Sequence, residues 1–116
     1  MIKVLFLCHG NICRSPMAEM IFKNMVRTRG LASNFHIDSA ATSREEIGNR
    51  IHRGTRRKLA EVKIPCEDHR AVQLTKKDYE VYDYLLVMDS NNIRNTMRII
   101  GSDLDHKVHR LLDFTS

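Results

Sequence analysis

Apolar and polar residues along the chain follow two periods. Residues 4–7 (V-L-F-L) and 84–88 (Y-L-L-V-M) are short apolar runs with polar flanks, the pattern of buried strands. Phe35 and Ile37 mark a further strand ending near Ser39, and residues 108–112 a last short one. Between these runs the spacing is helical. Met17, Met20, Ile21 and Met25 share one face of a helix over residues 16–29, which Gly30 stops, and their expected role is core packing. A second helix covers residues 54–62, halted by Pro65. Thr75 caps a third, with Leu74 and Tyr79 spaced for a hydrophobic staple, and Ser90 caps a fourth that ends at Gly101. Residues 40–51 are polar, contain Gly48 and read as a loop. Tyr79, Tyr82 and Tyr84 read as packing residues. Strands that alternate with helices pair in parallel through right-handed crossovers. The pattern therefore predicts an α/β fold, a small doubly wound four-stranded parallel sheet with helices on both faces.

Composition narrows the class. The chain of 116 residues, 42% hydrophobic and 28% charged, reads as one globular domain over residues 1–116. No apolar run approaches the roughly 20 residues of a membrane span, and no signal peptide precedes the first strand. Three cysteines make no disulfide framework, which points to a reducing cytoplasm. The net charge of +5 raises nucleic acid as a partner. Yet the densest basic run, residues 53–58, is broken by Gly54 and Thr55 and lacks interleaved aromatics for base stacking. It reads as a solvated helix face or as a basic rim for anionic substrates.

The candidate chemistry lies in residues 8–16, C-H-G-N-I-C-R-S-P. The first strand stops at Cys8. A short loop, with Gly10 and Asn11 suited to tight backbone angles, leads to Ser15 as N-cap and Pro16 in the first helical turn. A loop that enters a helix N-terminus in this way directs backbone N–H groups at one spot and makes an anion site. Arg14 adds a planar fork matched to two phosphate oxygens. Cys8, at the floor, would be held as thiolate by the loop amides, the helix end, Arg14 and the Ser15 hydroxyl. We read Cys8 as nucleophile and Arg14 as the group that binds the phosphoryl oxygens. The alternatives are a buried core cysteine and a zinc site from Cys8, His9 and Cys13, for which no C-x-x-C is present. No G-K-[ST] follows, so this is not a Walker loop.

The segment C-x5-R-S-P after a single N-terminal strand resembles the low-molecular-weight protein tyrosine phosphatases. Residues 38–43 (D-S-A-A-T-S), 73–78 (Q-L-T-K-K-D) and 88–92 (M-D-S-N-N) match in the same order, and the likeness runs from about residue 2 to residue 114. The resemblance implies strand order 2-1-3-4, with the Cys8 loop at the carboxyl end of a central strand, where open α/β sheets place ligands. It also implies a phosphate-binding loop of His9, Gly10, Asn11, Ile12, Cys13 and Ser15 around Cys8 and Arg14. Asn11 would be held by Ser39 and His69, although His69 also fits a surface histidine. Cys13 would pair with Cys8 under oxidants, or else is a packed loop thiol. Ile12 and residues 40–48 would form the walls. Glu45 stands where the family often has an aromatic residue. Asp89 borders the site or caps a helix alongside Ser90.

The implied activity is a metal-independent, cofactor-free hydrolysis of phosphotyrosine proteins or small aryl phosphates through a phosphocysteine, with inorganic phosphate and other oxyanions also bound. The resemblance places a general acid in an Asp-Pro segment beyond the last strand, followed by a helix. The chain contains no Asp-Pro, and Asp113 precedes the expected loop, so no general acid is assigned. The expectation is a C-terminally short domain with impaired hydrolysis and an uncovered sheet face that favours self-association. The alternatives are a phosphate- or phosphotyrosine-binding remnant without turnover, and an arsenate-reductase-like thiol enzyme, for which only Cys66 is available.

Overall fold

The computed structural model describes residues 1–111. The strands are β1 (Ile2–Cys8), β2 (Phe35–Ala41), β3 (Tyr84–Val87) and β4 (Val108–Arg110); the helices are α1 (Arg14–Thr28), α2 (Arg53–Glu61), α3 (Lys76–Val81) and α4 (Ser90–Ile100). All strand pairs are parallel, in the order β2-β1-β3-β4, as expected.

The alternation along β1 explains the two layers. Leu5 and Leu7 face one side, where they pack with Ala40, Leu74, Tyr82, Leu85, Val87 and Ile100 beneath α3 and α4. Val4 and Phe6 face the other, against Ile37 and Val26 of α1. A smaller cluster of Met20, Ile51 and Leu59 joins α1 to α2. The register sets Cys8 beside Ala41 at the carboxyl edge of the sheet, with Leu7 between Ala40 and Val87. The chain leaves β1 between its two neighbours, which is the switch point where a ligand crevice opens.

Several elements differ from the sequence expectation. Helix α1 begins at Arg14 with Cys13 as its N-cap residue, and no side chain caps it. Ser15 is not the cap, because its hydroxyl is drawn to Cys8 and Asn11. Of the apolar face predicted for this helix, only Met20 is buried; Ile21 and Met25 are 36% and 41% exposed. With Met17 they line an open groove of about 670 Å³ on the α1 side of the sheet, floored by Val4, Phe6 and Leu86. Helix α4 is capped by Asp89, whose Oδ1 accepts from the Asn92 amide, and not by Ser90. Tyr84 is 42% exposed, so it is not a core residue. The Thr75 cap is present, strengthened by Asp78 into a reciprocal capping box, and Leu74 and Tyr79 share one cluster. Leu112, Asp113 and Phe114 lie outside the described residues.

Candidate active site

Cys8 is the last residue of β1 and its side chain is buried. Its carbonyl accepts from the Thr42 amide at 3.0 Å, which ties the strand end to the loop after β2. The chain then turns sharply through Asn11, whose φ of 58° lies in the left-handed region. That turn brings two backbone amides back to the sulfur. Asn11 N and Ser15 N donate to Cys8 Sγ at 3.3 and 3.4 Å. Ser15 Oγ lies 3.0 Å from Sγ and itself accepts from Asn11 Nδ2 at 2.8 Å, which leaves its own proton for the sulfur. Three donors thus converge on the one sulfur.

A left-handed asparagine costs energy unless its surroundings fix it. Here every polar atom of the fully buried Asn11 side chain is used. Nδ2 also donates to Ser39 Oγ at 2.9 Å, and Oδ1 accepts from His69 Nε2 at 2.8 Å and from the Val72 amide at 3.2 Å. Ser39 and His69 therefore reach Asn11 from the two ends of its amide. Behind Ser39 stands Glu19, a buried carboxylate that accepts the Ser39 hydroxyl and the Lys23 ammonium. Sequence reasoning did not find Glu19. The signal was available: a lone acid directly before Met20, on the buried side of α1.

Gly10 serves a different need from the one expected. Its φ is not positive; instead a Cβ there would come within 3.2 Å of Glu46 Cγ. The missing side chain lets the loop after β2 lie close to the cradle. Ile12 contributes through its carbonyl, which accepts from His52 N at 2.7 Å. His52 then caps α2 by accepting from Gly54 N through Nδ1. At the rim, His9 Nε2 meets Glu45 Oε2 at 3.1 Å. Cys13 is exposed and its sulfur accepts from Thr55 Oγ1 at 3.3 Å. Cys8, His9 and Cys13, the trio a zinc reading would use, are thus turned to separate partners.

Arg14 stands in the first turn of α1, and its Nη1 donates to Asp89 Oδ2 at 3.0 Å, with both side chains about half exposed. Asp89 consequently does both things considered for it: it borders the site and caps α4. The Asn92 amide, and next the Arg14 guanidinium, hold its carboxyl below the ordinary value. Cys66 is exposed, and its thiol is pushed up by partial burial.

The loop after β1 thus turns two amides onto a buried sulfur, and Arg14 follows it as the first residue of α1. The sequence profile described as "Low molecular weight phosphotyrosine protein phosphatase" matches residues 3–116. The chain belongs to this family. It is 40% identical over 114 residues to the low molecular weight protein-tyrosine-phosphatase YfkJ of Bacillus subtilis, covering 98% of this chain and 73% of that protein. It is 44% identical over 95 residues to the human low molecular weight phosphotyrosine protein phosphatase, covering 82% of this chain and 60% of the relative. The crystal structure of YfkJ superposes with a TM-score of 0.96 at 39% identity, over all of this chain and 73% of that one. The YwlE arginine phosphatase of Bacillus subtilis, in a Cys-to-Ser mutant with a phosphorylated active-site serine, gives 0.86 at 28% identity over 99% and 72% of the two chains.

Proposed function

We propose that this chain is a cysteine-dependent phosphomonoester hydrolase for which phosphotyrosine in proteins is the principal substrate. The observation that carries the reading is the buried sulfur of Cys8, which takes two backbone amides of the loop that leads into Arg14 at the start of α1. The phosphoryl oxygens take the loop amides and the Arg14 fork, so that Cys8 lies in line behind phosphorus. The thiolate attacks; an S–P bond forms as the ester P–O bond breaks, and the leaving oxygen takes a proton. Water then attacks the phosphocysteine, the S–P bond breaks, and inorganic phosphate departs with the thiolate restored. Arg14 and the amides balance the phosphoryl charge without a metal ion, and no other cofactor enters these steps. The YwlE mutant with its phosphorylated active-site serine supports a covalent phosphoenzyme as the intermediate.

Small aryl phosphates are substrates of the same kind, and inorganic phosphate binds as product. The rim pair of His9 and Glu45 replaces an aromatic wall, so selection rests on the phosphoryl cradle more than on ring stacking. Three free cysteines fit a reducing compartment such as the cytoplasm, which we propose as its location. No helix among the described residues is long and apolar enough to cross a membrane. The groove beside α1 is where we place self-association of the chain. The activity is tested with p-nitrophenyl phosphate, whose leaving group needs little protonation. Release that disappears in Cys8→Ser supports the reading; release that persists in that variant excludes Cys8 as nucleophile.

A further inference from the structure

The side chain of Asn11 is gripped at both ends, and the two grips converge on one cation. From Nδ2 the path runs through Ser39 Oγ at 2.9 Å to Glu19 Oε1 at 2.5 Å. Glu19 Oε2 then takes Lys23 Nζ at 2.6 Å. From Oδ1 the path runs to His69 Nε2 at 2.8 Å, and two residues back along the chain to Glu67. The Glu67 carboxylate takes the same Lys23 Nζ at 2.9 and 3.2 Å. Lys23 therefore closes a ring through α1, β2, the segment between α2 and α3 and the phosphate loop.

An ordinary surface ion pair contributes little. This one differs because its inner partner is not at the surface: the Glu19 side chain is 3% exposed and that of Lys23 25%. A buried carboxylate that loses its cation is costly and shifts to find another donor. The donors within reach of Glu19 are Ser39, at hydrogen-bond distance, and His69, whose Nδ1 lies 3.8 Å away; these are two of the four residues that hold Asn11. Burial by itself would lower the pKa of Lys23, but the bonds to Glu19 and Glu67 outweigh it and raise it above 10.5. The segment carrying His69 has no helix or strand of its own. Ile64 packs at one end of it and the Arg50–Arg70 bridge lies at the other. Between those points Glu67 docks it onto α1 through Lys23.

We propose that Lys23, paired with Glu67, is a positioning residue of the phosphate cradle: it fixes where Ser39 and His69 hold Asn11, and so the aim of the loop amides at phosphate, without touching substrate. The inference deepens the hydrolase reading above and rests on it. The test uses Lys23→Met, Glu67→Gln, their double variant and the conservative Lys23→Arg, with Lys58→Met as control for an exposed pair on α2. Four quantities are read: the pre-steady-state release of p-nitrophenol, kcat and KM separately, the Kd for orthovanadate, and the melting temperature. Lys23→Met is expected to slow the burst and weaken orthovanadate binding by about 10- to 100-fold, the size of effect that a small misplacement in a site produces. Glu67→Gln acts in the same direction with a smaller effect, Lys23→Arg restores most of the loss, and Lys58→Met changes neither quantity. The double variant is no worse than Lys23→Met, because one ring is broken in both.

An unchanged burst and unchanged orthovanadate affinity in Lys23→Met and Glu67→Gln, whatever happens to the melting temperature, would overturn the proposal and leave a merely structural pair. Should Lys23→Met fail to fold, Glu67→Gln, altered at an exposed carboxylate, decides alone. If the unaltered chain releases no p-nitrophenol, the hydrolase reading falls by itself. Orthovanadate affinity then still judges Lys23: weaker binding in the variants upholds its positioning role, and equal binding rejects it.

Discussion

At the scale of single residues, the site joins groups that would each be unstable alone. Asn11 holds a left-handed backbone only because Ser15, Ser39, His69 and Val72 saturate its amide. The result is preorganisation: the amides point at Cys8 Sγ before a phosphate arrives. Arg14 is likewise set in advance, with Nη1 held by Asp89 and the rest of the fork left for oxygens. Arg14→Lys keeps the charge but loses the fork. It is expected to lower kcat/KM for p-nitrophenyl phosphate by roughly 10²- to 10³-fold, as the loss of a transition-state donor does. Asp89→Asn retains a good helix cap while removing the charge that holds the guanidinium. Its expected outcome is a reduced kcat/KM with a nearly unchanged melting temperature; an equal loss of both would make Asp89 a cap alone. The motif made Cys8, Arg14, Asn11 and Ser15 legible, because their spacing along eight residues states the chemistry. Glu19 left only the mark of a lone acid beside Met20, and the second role of Asp89 left none, because the partners of each are brought near by tertiary structure.

At the scale of elements, the alternation of strands and helices followed from the pattern and the strand order from the family resemblance, whereas the starts of α1 and α4 did not follow from either. A cap is decided by competition for a hydroxyl or carboxylate, and at both α1 and α4 the competitor won: Ser15 turns to the sulfur, and Asp89 displaces Ser90. The turn into β4 shows what such contacts contribute. Asp103 accepts from Tyr79 Oη at 2.6 Å and from the Lys107 and Val108 amides at 2.7 and 3.1 Å. Burial opposes its ionisation, but these bonds outweigh burial and hold its pKa below 3.8. A carboxylate depressed in the folded state contributes stability that is complete above its unfolded pKa. That stability is lost as pH falls through the folded pKa. Asp103→Asn should therefore be less stable than the unaltered chain near neutral pH, and the difference should shrink below about pH 4. Urea midpoints measured between about pH 6 and pH 2 check this; a difference that does not change with pH would contradict it.

At the scale of the whole molecule, the described residues cover one face of the sheet better than the other. Beneath α3 and α4 the core closes around fully buried Leu7, Leu85 and Val87. On the α1 side, Ile21 and Met25 remain partly in water over the groove. Helical periodicity alone could not reveal this, since it identifies an apolar face and not what meets that face. If the groove drives self-association, Ile21→Glu should leave an apparent mass that no longer rises with concentration in sedimentation, while activity per chain is retained. A mass that is monomeric before substitution would remove the groove from the account.

The most direct test of the central claim is a rapid-mixing measurement of p-nitrophenol release from p-nitrophenyl phosphate, made on the unaltered chain and on Cys8→Ser. A covalent phosphocysteine predicts an initial burst approaching about one equivalent per chain, absent from the variant. No release from a folded chain, or an equal release from Cys8→Ser, would contradict it.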